Sequence, residues 1–569
     1  MSHVKLAHRR RARCCAVVWP MVVWLVWGLA GCASTQPDVA AQEVIFVPDA
    51  GYHLLMAEIA LQRKAYLVTA EEYLNAAQQS TDSELARRST EFAYDYGYDV
   101  LALAGARRWL ELEPDSQPAN EYAGRMYLRR NQIERAFGHW RKSLGAGALS
   151  DETYLMLGVD LSEEQNPSGA TTILARLASE RPNAAGLRLA LATIALRAGA
   201  WELALVSARR VAASEPDWIQ AHIVIAQALL SMGDEYAAFA YLDTLLVAGS
   251  IVPIELEYVR LLSAVGRIEE AESRLRELGK EHGIRAEFVR LHGMIAFSDQ
   301  DLVTARRDFA QLLANGNNVY ASLYMLGRID LIQENYDEAI ETFSRVRGGG
   351  YLVRAQLGIS LAYDRLGRAD AALEQLRSFA ASYPRSAVDV VAARAQLLYR
   401  MGRVDEALDT YEQALLYRPD HVELLLAHGT MLDLEGRVDE ALVPMRRAVQ
   451  VAPMDAEALN TLGYTLANRT DRQREAYRLI RLAVELQPDS PAIIDSMGWV
   501  LYRLGRLDEA RSYLELALAQ LDDPELIAHL GEVLWETGER DAAVALWERG
   551  LIDYPDSQPL IGTRHRFIP

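Results

Sequence analysis

Cysteine is almost missing from this chain. Of 569 residues only Cys14, Cys15 and Cys32 are cysteines. All lie near the start, so a disulfide framework and a cysteine-based zinc site are excluded from everything after residue 32. Catalytic signatures are missing as well. The one Gly-Lys pair, Gly279-Lys280, is followed by Glu281 inside helical sequence, not by the Ser or Thr of a phosphate-binding loop. Gly145-Ala146-Gly147 starts a dinucleotide-like spacing, but a helical stretch precedes it, and it reads as a helix stop. No Gly-x-Ser-x-Gly elbow and no His-Glu-x-x-His occur. His421 and His428 stand seven apart on one helical stretch, which suits a structural pair better than a ligand set. Carboxylates are spread over helix faces, so no acid/base pair stands out. The expectation is a protein that is not an enzyme, with no cofactor and no metal.

Basic charge is also short. Lys and Arg number 59 against 78 Asp and Glu, a formal net charge of −19. Residues 1–31 hold five basic groups and no acid, so the rest carries −19 − 5 = −24. Nucleic acid needs a basic footprint and is excluded as a partner. Acidic helix faces also serve solubility.

What the chain does have is a repeat. Gly-Arg-Val-Asp-Glu-Ala-Leu stands at Gly402–Leu408 and again at Gly436–Leu442, and Ala414 and Pro419 recur as Ala448 and Pro453. Each pair is 34 positions apart. Val391 to Met401 reads as a first helix that Gly402 ends. Asp405 and Glu406 open a second, where the helix dipole favours acids. Ala407, Tyr411 and Ala414 share one face, and Pro419 stops it. Helices below ~12–15 residues are marginal alone, so the pairs must stack.

Turn glycines keep this phase at Gly97, Gly199, Gly233, Gly266, Gly367, Gly402, Gly436, Gly505 and Gly538. Asn131, Gln300 and Glu334 occupy turn positions where Gly is missing, and a first-helix glycine recurs from Gly124 to Gly531. The 34-residue period resembles the tetratricopeptide repeat. It implies an all-α solenoid, a right-handed superhelix of roughly fifteen helix pairs over residues 50–557. Between Leu144 and Tyr351 glycine mostly replaces the closing proline, and Gly348-Gly349-Gly350 is a hinge candidate. Pro444 falls inside a second helix, where a kink is expected. Residues 558–569 read as a tail too short for a full capping helix, lying across the last pair or engaging a partner.

The N-terminus has a basic stretch, His8 to Arg13, then an apolar run of 17 residues, Cys14–Ala30. The run ends in Leu29-Ala30-Gly31-Cys32, which resembles the lipobox of bacterial lipoproteins. That resemblance implies a signal peptide at 1–31, lipidation of Cys32 and a tether at 32–49. Ala33 follows in place of a retention Asp, which suggests an outer-membrane anchor with the body facing the periplasm.

In tetratricopeptide solenoids the first helix of each pair lines a concave groove. Carried over to the last three first helices, the exposed groove positions are Asn460, Tyr464 and Asn468; Asp495, Trp499 and Tyr502; and His529, Glu532, Trp535 and Glu536. Trp and Tyr are common interface anchors. Packing between repeats is the alternative for Trp499 and Trp535, and is preferred for Trp109, Trp140 and Trp547. The lipobox, the first helix around Tyr52–Ala60 and the stretches Leu459–Tyr464 and Asp495–Trp499 are together similar to outer-membrane lipoproteins that partner a periplasmic carboxyl-terminal processing protease. Such adaptors activate the protease and present cell-wall hydrolases, so the resemblance implies those partners. The other class open to the chain is an assembly factor for a pilus or polysaccharide-export machine.

Overall fold

The computed structural model describes residues 48–568 except 146, 148, 163, 165 and 248. Among the described residues there are thirty-one α-helices, three short 3-10 turns and no strand. The first thirty helices form fifteen successive pairs, from Ala50–Gln62 with Tyr66–Gln78 to Pro524–Glu536 with Arg540–Asp553. Asp49 caps the first of them by accepting from the Tyr52 amide at 2.8 Å.

The recurring first-helix glycine has a packing reason. At Gly124, Gly293, Gly327, Gly429, Gly498 and Gly531 the residue sixteen places on, in the partner helix, fills the space where a Cβ would be: Trp140, Phe309, Phe343, Met445, Leu514 and Trp547. Phe343 is wedged between two such glycines. A Cβ on either Gly327 or Gly358 would come within 2.6 Å of its ring. In the pair that carries the extra turn residue, Gly463 receives Ile480 instead, seventeen places on. The glycine is the hole, the large residue the knob, and the insertion at Asn468–Arg472 is absorbed by a one-residue shift of the knob.

The turn substitutes behave as their positions predict. Asn131, Gln300 and Glu334 have φ of 52°, 63° and 61°, in the left-handed region that Gly402 and Gly436 occupy at 74° and 73°. Pro444 is carried inside the continuous helix Val438–Val451. At the triple glycine, the exposed Gly349 and Gly350 begin a 3-10 turn, Gly349–Tyr351, that leads into Leu352–Arg365.

One pair departs from the pattern. Asp151–Ser162 packs chiefly on Ala185–Arg197, not on its own partner Pro167–Glu180. Gly158 permits this by bringing its backbone against Ala190. The turn that follows places Glu164 in the interior, 1% exposed.

The solenoid also meets itself. Residues 94–131 touch residues 385–450, about three hundred positions away in the chain. The Arg418 guanidinium donates to the Gly97 carbonyl at 3.2 Å, and Asn131 donates to the Gln450 carbonyl at 3.3 Å. Arg385 pairs with Asp95 at 2.8 Å and Arg130 with Asp420 at 3.6 Å. Tyr98 meets Tyr417 edge-on. Between the two faces lies a polar cavity of about 270 Å³, lined by Tyr94, Asp99, Arg129, Glu164, Asp389 and His421 among others. Arg129 holds both Asp99 and Glu164 there, at 2.7 Å each.

The last helix, Gln558–Phe567, lies across the last pair, one of the two places expected of the tail, but it is a capping helix where too few residues were expected for one. It packs on both Pro524–Glu536 and Arg540–Asp553. Leu560 is fully buried. Phe567 stacks on Trp547, with centroids 5.7 Å apart, and is tilted against Trp535 at the same distance. Ten residues suffice because Pro at the second helical position and a Ser557 cap start the helix without delay.

Candidate partner-binding groove

First helices of the last five pairs enclose two adjoining cavities. One, of about 500 Å³, lies between Val391–Arg400, Val422–Leu434 and Ala456–Arg469. The other, of about 530 Å³, continues from Val422–Leu434 to Pro524–Glu536. They share Thr430, Leu434 and Thr461, so they form one groove.

The ten residues expected to line a groove divide. Asn460, Tyr464, Asn468 and Asp495 do line it. The side-chain oxygen of Asn460 is buried and has no hydrogen-bond partner. The Tyr464 hydroxyl donates to Glu525 at 2.6 Å, two pairs further along, and so bridges the second cavity. Burial, then the nearby Glu525 carboxylate, pushes the ionisation of Tyr464 well above the usual phenol range.

The other six lie elsewhere. Trp499 and His529 are buried, contrary to the exposed positions expected, and Asp495, though it lines the groove, is only 7% exposed. Trp499 stacks on His529 at 4.1 Å, and the Asp495 carboxylate accepts from His529 at 2.9 Å. Burial opposes charge on His529, but Asp495 beside it, with Glu525 and Glu532, raises the imidazole above its ordinary value. Glu532 is 2% exposed because the last helix covers it: Arg566 pairs with it at 2.7 Å and Thr563 donates to it at 3.4 Å. Trp535 is partly buried against Trp547 and Phe567. Tyr502 leans on Trp499, and Glu536 is exposed. Packing is therefore the structural setting of both tryptophans, as it is for Trp109, Trp140 and Trp547, all at most 4% exposed.

Residues that the sequence reading missed make up the first cavity. Tyr399 and Tyr411 form its wall; Glu423, Asp455 and Glu457 line it too. Burial raises the Tyr411 hydroxyl to about 12. Partial burial, then Asp455 and Glu423, pushes the Glu457 carboxyl up. A signal existed: subtracting one period from Asn460, Tyr464 and Asn468 gives Leu426, Thr430 and Leu434, and all three line this cavity. The two histidines have structural places. His421 caps Val422–Leu434 and His428 stacks on Tyr411. Cys32 and the segment 1–47 lie outside the described residues.

Residues 324–387 and 392–450 match the tetratricopeptide repeat family model. A TPR repeat-containing protein of Pseudomonas aeruginosa is 28% identical over 478 residues, 83% of this chain and 80% of that protein. Among solved structures, Pseudomonas aeruginosa PilF is 20% identical, covering 38% of this chain and 97% of its own, with a TM-score of 0.31. Yeast Tom70 is 16% identical, covering 79% and 94%, with a TM-score of 0.36. Fifteen helix pairs and left-handed turns in 34-residue phase give the described residues an all-α, tetratricopeptide-like solenoid fold, within which residues 324–387 and 392–450 match the repeat model.

Proposed function

We propose that this chain is a non-catalytic, protein-binding adaptor, held at the outer membrane through a lipid on Cys32 and facing the periplasm. Its partners in this reading are a periplasmic carboxyl-terminal processing protease, which it activates, and cell-wall hydrolases, which it presents. The observation that carries the binding role is the groove along the first helices of the last five pairs, lined by Tyr399, Tyr464 and Asn460. The lipobox supports the anchor, and the sequence resemblance supports the choice of partners. Affinity capture of the lipidated chain from a bacterial envelope fraction tests it. Recovery of such a protease with a hydrolase is the expected result. Recovery of pilus or polysaccharide-export components without any protease of that class overturns it and favours an assembly factor.

A further inference from the structure

We propose that the groove between Val391–Arg400 and Pro524–Glu536 takes an extended, lysine- or arginine-rich segment of the partner. This rests on the adaptor reading and names the chemistry that the groove selects. Its lining is acidic without compensation. Glu423, Asp455 and Glu457 face one cavity, and Asp523 and Glu525 the other. The two arginines that line it are already paired, Arg400 with Asp364 at 2.8 Å and Arg469 with Asp433 at 3.2 Å. Asp455 and Asp523 cap helices through backbone amides, and Glu525 accepts from Tyr464. Among the described residues Glu423 and Glu457 have no ion-pair partner, and partial burial first, then the charges of Asp455 and Glu423, pushes the Glu457 carboxyl up. A cation placed there offsets those charges.

Tyr399 and Tyr464, both only partly buried, supply faces for the aliphatic stems and charged heads of lysine or arginine. An extended strand suits the shape, because the two cavities join end to end through Thr430, Leu434 and Thr461. Phosphate-bearing ligands are repelled by the same lining.

The test is fluorescence anisotropy on the full mature chain with three labelled peptides of equal length: Lys/Ser, Glu/Ser and Ser/Gly. The Lys/Ser peptide is expected to bind, to weaken with salt, and to lose about tenfold in affinity in the E423Q/E457Q variant. The control E269Q/E277Q removes two exposed charges outside the groove and is expected to bind as the parent does. Equal loss in control and groove variants overturns the proposal, since attraction is then a property of the whole acidic body. Equal binding of the Glu/Ser peptide also overturns it. Envelope capture of a partner by E423Q/E457Q at parental yield leaves the adaptor reading standing and removes this one.

Discussion

His421 makes the contact between the two distant faces of the solenoid dependent on pH. The imidazole is 9% exposed in the polar cavity that joins them. Burial first, then the Arg418 and Arg129 guanidiniums, lowers it to about 4. Asp99, Glu164, Asp389 and Asp420 also line the cavity, and Tyr94 closes one side. The ring accepts from the Leu424 amide, so it is neutral in the folded chain. An unfolded histidine titrates near ~6.5. Between that value and about 4 the folded chain holds fewer protons than the unfolded one. The stabilisation is complete above ~6.5 and is lost as pH falls toward 4. In full it is worth ~3 kcal/mol, of which ~2 kcal/mol is gone at pH ~5. Protonation also sets a positive charge at a helix N-terminus, which the dipole disfavours. Asp389 works the other way, because burial raises its carboxyl. The perturbation is therefore His421→Asn, which keeps a capping side chain and removes the titration. Hydrogen exchange in segments 94–100 and 418–426, corrected for intrinsic rates, reads the opening. Between pH ~7 and ~5 the parent should open about thirtyfold more often, and the variant should change far less. The same pH response in both refutes the argument.

Three other outcomes follow from the fold. Glu334→Gly relieves a left-handed backbone at φ 61° and should raise stability by ~1 kcal/mol in urea titrations. Gly327→Ala drives a methyl into the Phe343 ring and should cost ~1–3 kcal/mol, whereas Gly279→Ala, with nothing within 4 Å, should be neutral or slightly stabilising by thermal melting. Removing residues 558–569 uncovers the site of the fully buried Leu560, frees Glu532 from Arg566 and should cost at least ~2 kcal/mol, seen as earlier unfolding and increased dye binding.

Local order was legible in the sequence because each repeat meets its neighbour at a fixed spacing. The 34-residue identity around Gly402 and Gly436 placed the turns, and it even found the substitutes Asn131, Gln300 and Glu334 that adopt the same backbone. The large residues that fill the first-helix glycines were not singled out by that spacing and appear only in the packing. Burial of polar residues was not legible. Asp495 and His529 stand one period apart, and on a first helix they read as exposed groove residues; paired, they sit inside. Glu532 looked like a surface acid until a helix of ten residues closed over it. The contact of Arg418 with Gly97 had no sequence signal either. It arises from small rotations added up over many pairs, and no local pattern records that sum.

That contact changes what kind of mechanical object the chain is. A row of helix pairs, each touching only the next, stretches like a spring and yields one coil at a time. Tying residue 97 to residue 418 shorts that spring across nine coils. Tension or ligand-induced twist in the acidic groove is then felt by the pairs near the N-terminal end, without passing through the coils between.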